Sequence, residues 1–156
     1  MDFGLAGKTA IIGGGARGSG KAIAIGLARE GVDMVITSRN LEALSETAAE
    51  IAADTGRNII PMACDVTDRT AVEAMGEDAV AALGGLHILV NSASLPGGSP
   101  NAVGSIETIV DEDFLSDFDT KYLGALRCAR AALPHMQAGG WGRIINISGS
   151  NARMPG

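Results

Sequence analysis

Aromatic residues are nearly missing from this sequence, with one Trp, one Tyr and three Phe among 156 residues. Aliphatic side chains must therefore fill the core, and 22 glycines let helices pack close onto sheets. Basic charge is also short: 12 Lys and Arg stand against 18 Asp and Glu, a formal net charge of −6. That disfavours nucleic acid as a partner, because neutralising phosphates needs a basic face. There are two cysteines, Cys64 and Cys128, outside any CxxC or Cys/His cluster. They read as buried free thiols of a reducing compartment, and no metal site is expected. No apolar run reaches the ~18 residues of a membrane span. The start, Met1-Asp2-Phe3-Gly4, has neither the basic nor the apolar region of a secretory signal. A cytoplasmic protein without membrane or nucleic-acid partners is expected, with residues 1–156 as one domain.

Extended and helical patterns alternate along the chain. Thr9 to Ile12, Met34 to Thr37, Asn58 to Met62, Leu86 to Val90 and Arg143 to Ile147 read as strands. Helices are expected over 18–30, after a cap at Asn40, and after a cap at Asp68 or Thr67. In the second of these, Leu41, Leu44, Ala48 and Ile51 make one apolar stripe. One or two more helices fall between Ile106 and Gln137, and 94–104 reads as a Pro/Gly/Ser loop. Six acids between Glu107 and Asp119 read as a solvated helix face with charge placed at a helix start. His87 reads as a structural histidine on an apolar strand. Strands joined by helices and never by hairpins imply an α/β fold. The expected form is a Rossmann-like, doubly wound parallel sheet in the order 3-2-1-4-5, with helices on both faces and the ligand crevice at the strand C-terminal ends.

The strongest local signal is Gly13-Gly14-Gly15-Ala16-Arg17-Gly18-Ser19-Gly20, which follows a strand and opens a helix. Such a turn lets backbone approach a diphosphate, and the helix start offers N–H groups and a positive dipole end. Gly13, Gly15 and Gly18 fit GxGxxG, while Gly14, Gly18 and Gly20 fit GxxxGxG; a purely structural turn would look the same. NAD-type sites want an acid at the end of the second strand to hold the ribose 2′-OH. Here Thr37-Ser38-Arg39-Asn40 has none. Ser38 with Arg39 suits a 2′-phosphate, and Arg17 can converge on the same group, so NADP is expected in preference to NAD.

These residues resemble the short-chain dehydrogenase/reductase family, and the resemblance runs the length of the chain. GxxxGxG is present as Gly14, Gly18 and Gly20, Asp-Val after the third strand as Asp65-Val66, and Asn-Asn-Ala-Gly after the fourth as Asn91-Ser92-Ala93-Ser94. Residues 124–136 look like the family's long fifth helix, and 142–148 like the strand that leads to its catalytic serine. The resemblance implies that Gly14, Ala16, Arg17, Gly18, Ser19, Gly20, Ser38, Arg39, Asp65, Val66, Asn91, Ala93 and Ser94 bind the dinucleotide, with Asp65 on the adenine amino group. Departures from the pattern fall at Gly13, Ser94, Lys121 and Gly149. Lys121 stands where the family has a catalytic Asn, and either adds an ammonium to the proton relay or snorkels outward. The serine position falls on Gly149, flanked by Ser148 and Ser150.

The family's Tyr-x-x-x-Lys is absent: the only tyrosine is Tyr122, and Leu126 follows four residues later. The resemblance implies an NADP(H)-dependent oxidoreductase acting on a small carbonyl or alcohol, with Ser150, Ser148 and Lys121 as candidate catalytic residues. The alternative is a non-catalytic dinucleotide-binding protein. The native chain is expected to continue past Gly156. A homo-oligomer is also expected, through a helix carrying Ala125, Ala129 and Ala132, with Leu126 and Leu133 nearby.

Overall fold

The computed structural model describes residues 3–94, 99–102 and 104–149. Five parallel strands form one sheet in the order β3-β2-β1-β4-β5. They are β1 (Thr9–Gly13), β2 (Asp33–Ser38), β3 (Ile59–Ala63), β4 (Ile88–Asn91) and β5 (Arg143–Asn146). The helices are α1 (Gly18–Arg29), α2 (Leu41–Thr55), α3 (Arg69–Leu83), α4 (Asp111–Phe118) and α5 (Gly124–Ala138). A π-turn, Asp119–Leu123, joins α4 to α5. This is the doubly wound arrangement that the alternating pattern implies.

Period-2 alternation splits the central strands between two cores. Ala10, Ile12, Met34, Ile36 and Val90 pack with Ala24, Leu44 and Ile51 of α1 and α2. Ile11, Val35 and Leu89 pack with Val72 and Met75 of α3 and Cys128 and Ala132 of α5. Each fully buried aliphatic side chain contributes about 1.5–3 kcal/mol. The helices start and stop for local reasons. Asn40 Oδ1 accepts from Ala43 N–H at 3.0 Å, and Asp68 Oδ1 from Ala71 N–H at 3.1 Å. Gly56 and Gly84 end α2 and α3 with φ of 68° and 78°, a left-handed backbone that glycine takes without steric cost.

Several expectations change. Leu41 opens α2 on its outer side and is 49% exposed, so the stripe reduces to Leu44, Ala48 and Ile51. His87 lies just before β4; its Nδ1 accepts from Thr9 N–H at 3.1 Å, and its ring sits 5.9 Å from that of Trp141. It has the structural place expected of it. The acid-rich stretch is more than a solvated face, because Asp117 is only 8% exposed. Ala132 packs into the core, while Leu126 and Leu133 are exposed large apolar residues of the same helix. Phe118 and Tyr122 continue that exposed apolar face, with rings stacked 5.0 Å apart. β5 is one of the two edge strands among the described residues, β3 being the other, and Ile144, Ile145 and Ile147 beside it are 39%, 44% and 45% exposed. No helix among the described residues is long and apolar enough to cross a membrane.

Candidate functional site

Strand register brings the chemistry to one rim. Gly13 is level with Thr37 of β2 and with Asn91 of β4, and Asn91 is level with Asn146 of β5. The turn after β1 rises from this row. Its Gly14 and Gly15 N–H groups both donate to Thr37 O, at 2.8 and 3.2 Å, which seats the turn against Thr37-Ser38-Arg39.

Three of the glycines, Gly14, Gly15 and Gly20, leave no room for a Cβ. A Cβ on Gly20 would press on the Gly14 carbonyl and stand 2.9 Å from Ser92 Oγ; one on Gly14, where φ is +73°, would stand 2.7 Å from Ser92 O. A Cβ on Gly15 would meet Ile36 Cβ at 2.7 Å. Ser92 therefore walls the turn on one side and Ile36 on the other. The sequence pattern picks out Asn91, Ala93 and Ser94 and passes over Ser92, although it lies between them.

Above the turn, α1 starts without help. Its first residue follows Arg17 in extended backbone with no side-chain cap, and its first turn has no acid. The next two helices have Asn40 and Asp68 for that purpose. Uncapped N–H groups and the positive dipole end face the rim, as an anion requires. Arg17 and Ser19 are exposed beside them. Ala16 is half-buried, and its carbonyl accepts from Thr47 Oγ1 at 3.1 Å. Among the described residues neither Arg17 nor Arg39 has an ion-pair partner. Ser38 Oγ accepts from Asn40 N–H at 3.3 Å, and Arg39 is exposed next to it.

Across β3, Asp65 Oδ1 accepts the backbone N–H and the hydroxyl of Thr67, at 2.9 and 2.7 Å. Those two bonds, with the charges of Arg39 and Arg127, hold its carboxyl below the ordinary range. Val66 is buried against Gly124, where a Cβ would stand 2.7 Å from Val66 Cγ2. Burial, with Asp65 and Asp68 nearby, pushes the Cys64 thiol up. Burial carries the Cys128 thiol to about 11, so both stay neutral and unreactive.

At the centre of the rim, Asn91 Nδ2 donates to Asn146 Oδ1 at 2.9 Å and to Ala125 O at 3.5 Å. Ala93 packs on the core below the rim and Ser94 is exposed. Ser148 and Gly149 follow β5 and are exposed; Ser150 lies outside the described residues. Lys121 Nζ donates to Asp117 Oδ2 at 2.7 Å. Asp117 Oδ1 accepts the N–H and hydroxyl of Ser99, at 2.9 and 3.0 Å. Burial alone would raise the pKa of Asp117, but these hydrogen bonds outweigh it and the carboxyl titrates below its usual range. The rim thus brings together a glycine turn with an uncapped helix start, two guanidiniums without ion-pair partners among the described residues, and the Asp65 carboxylate. These features fit a dinucleotide lying across the strand ends. Among the described residues no cluster of metal-ligating side chains occurs.

Comparison with known proteins agrees with this geometry. The family model for short chain dehydrogenases matches residues 8–156. A short-chain type dehydrogenase/reductase of Picea abies is 35% identical over 97% of this chain and 57% of its own length. A 2-dehydro-3-deoxy-L-rhamnonate dehydrogenase (NAD(+)) of Sphingomonas sp. (strain SKA58) is 38% identical over 92% of this chain and 54% of its own. Among solved structures, L-sorbose reductase from Gluconobacter frateurii, complexed with NADPH and L-sorbose, superposes with a TM-score of 0.90. It is 34% identical, over 99% of this chain and 57% of its own. The chain spans little more than half the length of the relatives it matches.

Proposed function

The chain belongs to the short chain dehydrogenase family, and on that premise we propose that it is an NADP(H)-dependent oxidoreductase acting on a small carbonyl or alcohol. The observation that carries this reading is the uncapped start of α1 beneath a glycine turn, with Arg17 and Arg39 free of ion pairs beside it. The backbone at Gly14, Ala16, Gly18, Ser19 and Gly20 would hold the diphosphate, and Ser38 with the two arginines the 2′-phosphate. Asp65 and Val66 would take the adenine, and Asn91, Ala93 and Ser94 the inner ribose and ring. The NADPH of the sorbose reductase favours this choice, while the rhamnonate dehydrogenase is an NAD enzyme.

The hydride for the carbonyl carbon would come from a dihydronicotinamide held by these residues. The chain's part is to position the carbonyl and deliver a proton to its oxygen. Ser148 or Ser150, after β5, would hold the carbonyl oxygen, and Lys121 would lend its ammonium to the proton path. The family's Tyr-x-x-x-Lys does not occur in residues 1–156, so this reading assigns the proton donor to none of these residues. The exposed face of Phe118, Tyr122, Leu126 and Leu133 suits a second copy of the chain, and two buried thiols suit a reducing cytoplasm. The ion pair of Lys121 with Asp117 favours a second reading, a dinucleotide-binding protein without turnover, since that ammonium is already engaged. A panel of ketoses, aldehydes and polyols separates the two. Loss of dihydronicotinamide absorbance with a carbonyl supports the enzyme; tight NADPH binding with no oxidation by any of them supports the second reading.

A further inference from the structure

The α4–α5 junction contains an arginine used in an unusual way. Arg127 is on α5 with its side chain only 18% exposed. Its Nη1 donates to Val66 O at 3.1 Å and to Asp119 O at 3.4 Å, while Nη2 pairs with Asp119 Oδ1 at 2.8 Å. Asp119 is the first residue of the π-turn, and its carbonyl also accepts the Gly124 N–H that closes the turn. One guanidinium therefore joins the loop after β3 to the π-turn that carries Lys121.

The rest of the junction shows what is being held. Val66 sits in a notch that exists because Gly124 has no Cβ, and Asp65 is locked by Thr67. The Asp65-Val66 dipeptide is thus fixed by the Thr67 turn, by the Gly124 notch, and by Arg127 on its carbonyl. Without Arg127 the Val66 side chain would keep its notch while its carbonyl would lose its anchor, and Asp65 would lose one of the charges that favour its ionised form. A wider turn of π geometry often marks a functional place in a helix. Here it presents Gly124 to Val66 and the Asp119 carbonyl to Arg127.

We propose that Arg127 is a positioning residue for the adenine end of the dinucleotide site, holding the Val66 backbone so that Asp65-Val66 presents a rigid edge to the base. The inference rests on the reading of Asp65 and Val66 under Proposed function. It adds a residue that touches no part of the dinucleotide itself. A charge-assisted donor of this kind is worth about tenfold in binding.

The test uses the full chain with two half-ligands, 2′,5′-ADP for the adenosine end and nicotinamide mononucleotide for the other. In Arg127→Met, which keeps length and removes all donors, affinity for 2′,5′-ADP and NADPH is expected to fall about tenfold. Affinity for nicotinamide mononucleotide stays as in the wild type. Arg127→Lys, which can reach one acceptor but not both, is expected to recover part of the loss. If Arg127→Met does not fold, Asp119→Asn removes only the ion pair and is expected to show the same selective loss to a smaller degree. Equal weakening of both half-ligands, or no change in either, in a variant that melts cooperatively overturns the proposal. If the wild-type protein binds neither half-ligand, the dinucleotide reading itself falls, and the proposal with it.

Discussion

Replacing Gly20 by alanine tests whether the turn after β1 is as tightly built as it looks. The added Cβ would press on the Gly14 carbonyl, stand 2.7 Å from Gly14 C and 2.9 Å from Ser92 Oγ. Ordinary contact begins at 3.4 Å, so relieving the Gly14 carbonyl carbon alone takes about 0.7 Å, and its oxygen, nearer still, must move further. The peptide has nowhere to go. Gly14 and Gly15 N–H are both held by Thr37 O, and Gly15 already backs onto Ile36. The cost therefore belongs at the upper end of overpacking, about 3 kcal/mol, and the variant should melt roughly 6–12 °C lower. Displacing the turn beneath the α1 start should also weaken NADPH by at least about tenfold, since ~1.4 kcal/mol suffices. Gly18→Ala is the control: φ is +54° but the space is open, so its stability cost is strain alone, about 1–2 kcal/mol. Thermal melting and a fluorescence titration read both quantities. A Gly20→Ala protein that melts within about 1 °C of wild type and binds NADPH equally would refute the steric reasoning.

His87 should make the fold acid-sensitive. Burial and the nearby Lys8 charge hold its pKa below the ordinary 6.5, and protonation at Nδ1 would set an N–H against that of Thr9. The unfolded chain takes up this proton first, so the contribution is complete above about pH 6.5 and is lost as pH falls through the folded-state value. Melting temperature and Trp141 emission should decline together on acidification, and His87→Gln should remove that step; an identical decline in the variant contradicts it. Gly26 lies exposed inside α1 with no atom near a would-be Cβ. Gly26→Ala should stabilise the protein by about 0.5–1 kcal/mol, seen as a raised denaturation midpoint with unchanged slope.

The sheet was legible because its evidence is local and repeated. Ile11-Ile12, Val35-Ile36 and Leu89-Val90 lie in short apolar runs with helical patterns between them, and Asn40 and Asp68 announce the helix starts. The glycine turn was legible for the same reason. What the pattern could not give is where side chains meet across long separations. Asp117 and Asp119 look alike in sequence, yet one is buried on Ser99 and the other meets Arg127. A charged residue set between Leu126 and Cys128, as Arg127 is, was the available signal. Ala125, Ala129 and Ala132 suggested an outer contact by their size, but the pitch of α5 turns Ala132 inward and leaves Leu126 and Leu133 outside.

The central claim is that Arg17, Arg39 and Ser38 read a 2′-phosphate beside the glycine turn. Titrating the full chain with NADPH and NADH at one ionic strength tests it most directly. Arginine bonds to phosphate are worth roughly 1.5–3 kcal/mol each, so NADPH should bind at least about tenfold more tightly. The preference should vanish when Arg17→Ala and Arg39→Ala are combined. Equal dissociation constants for the two dinucleotides, or a preference that survives the double substitution, would contradict the account.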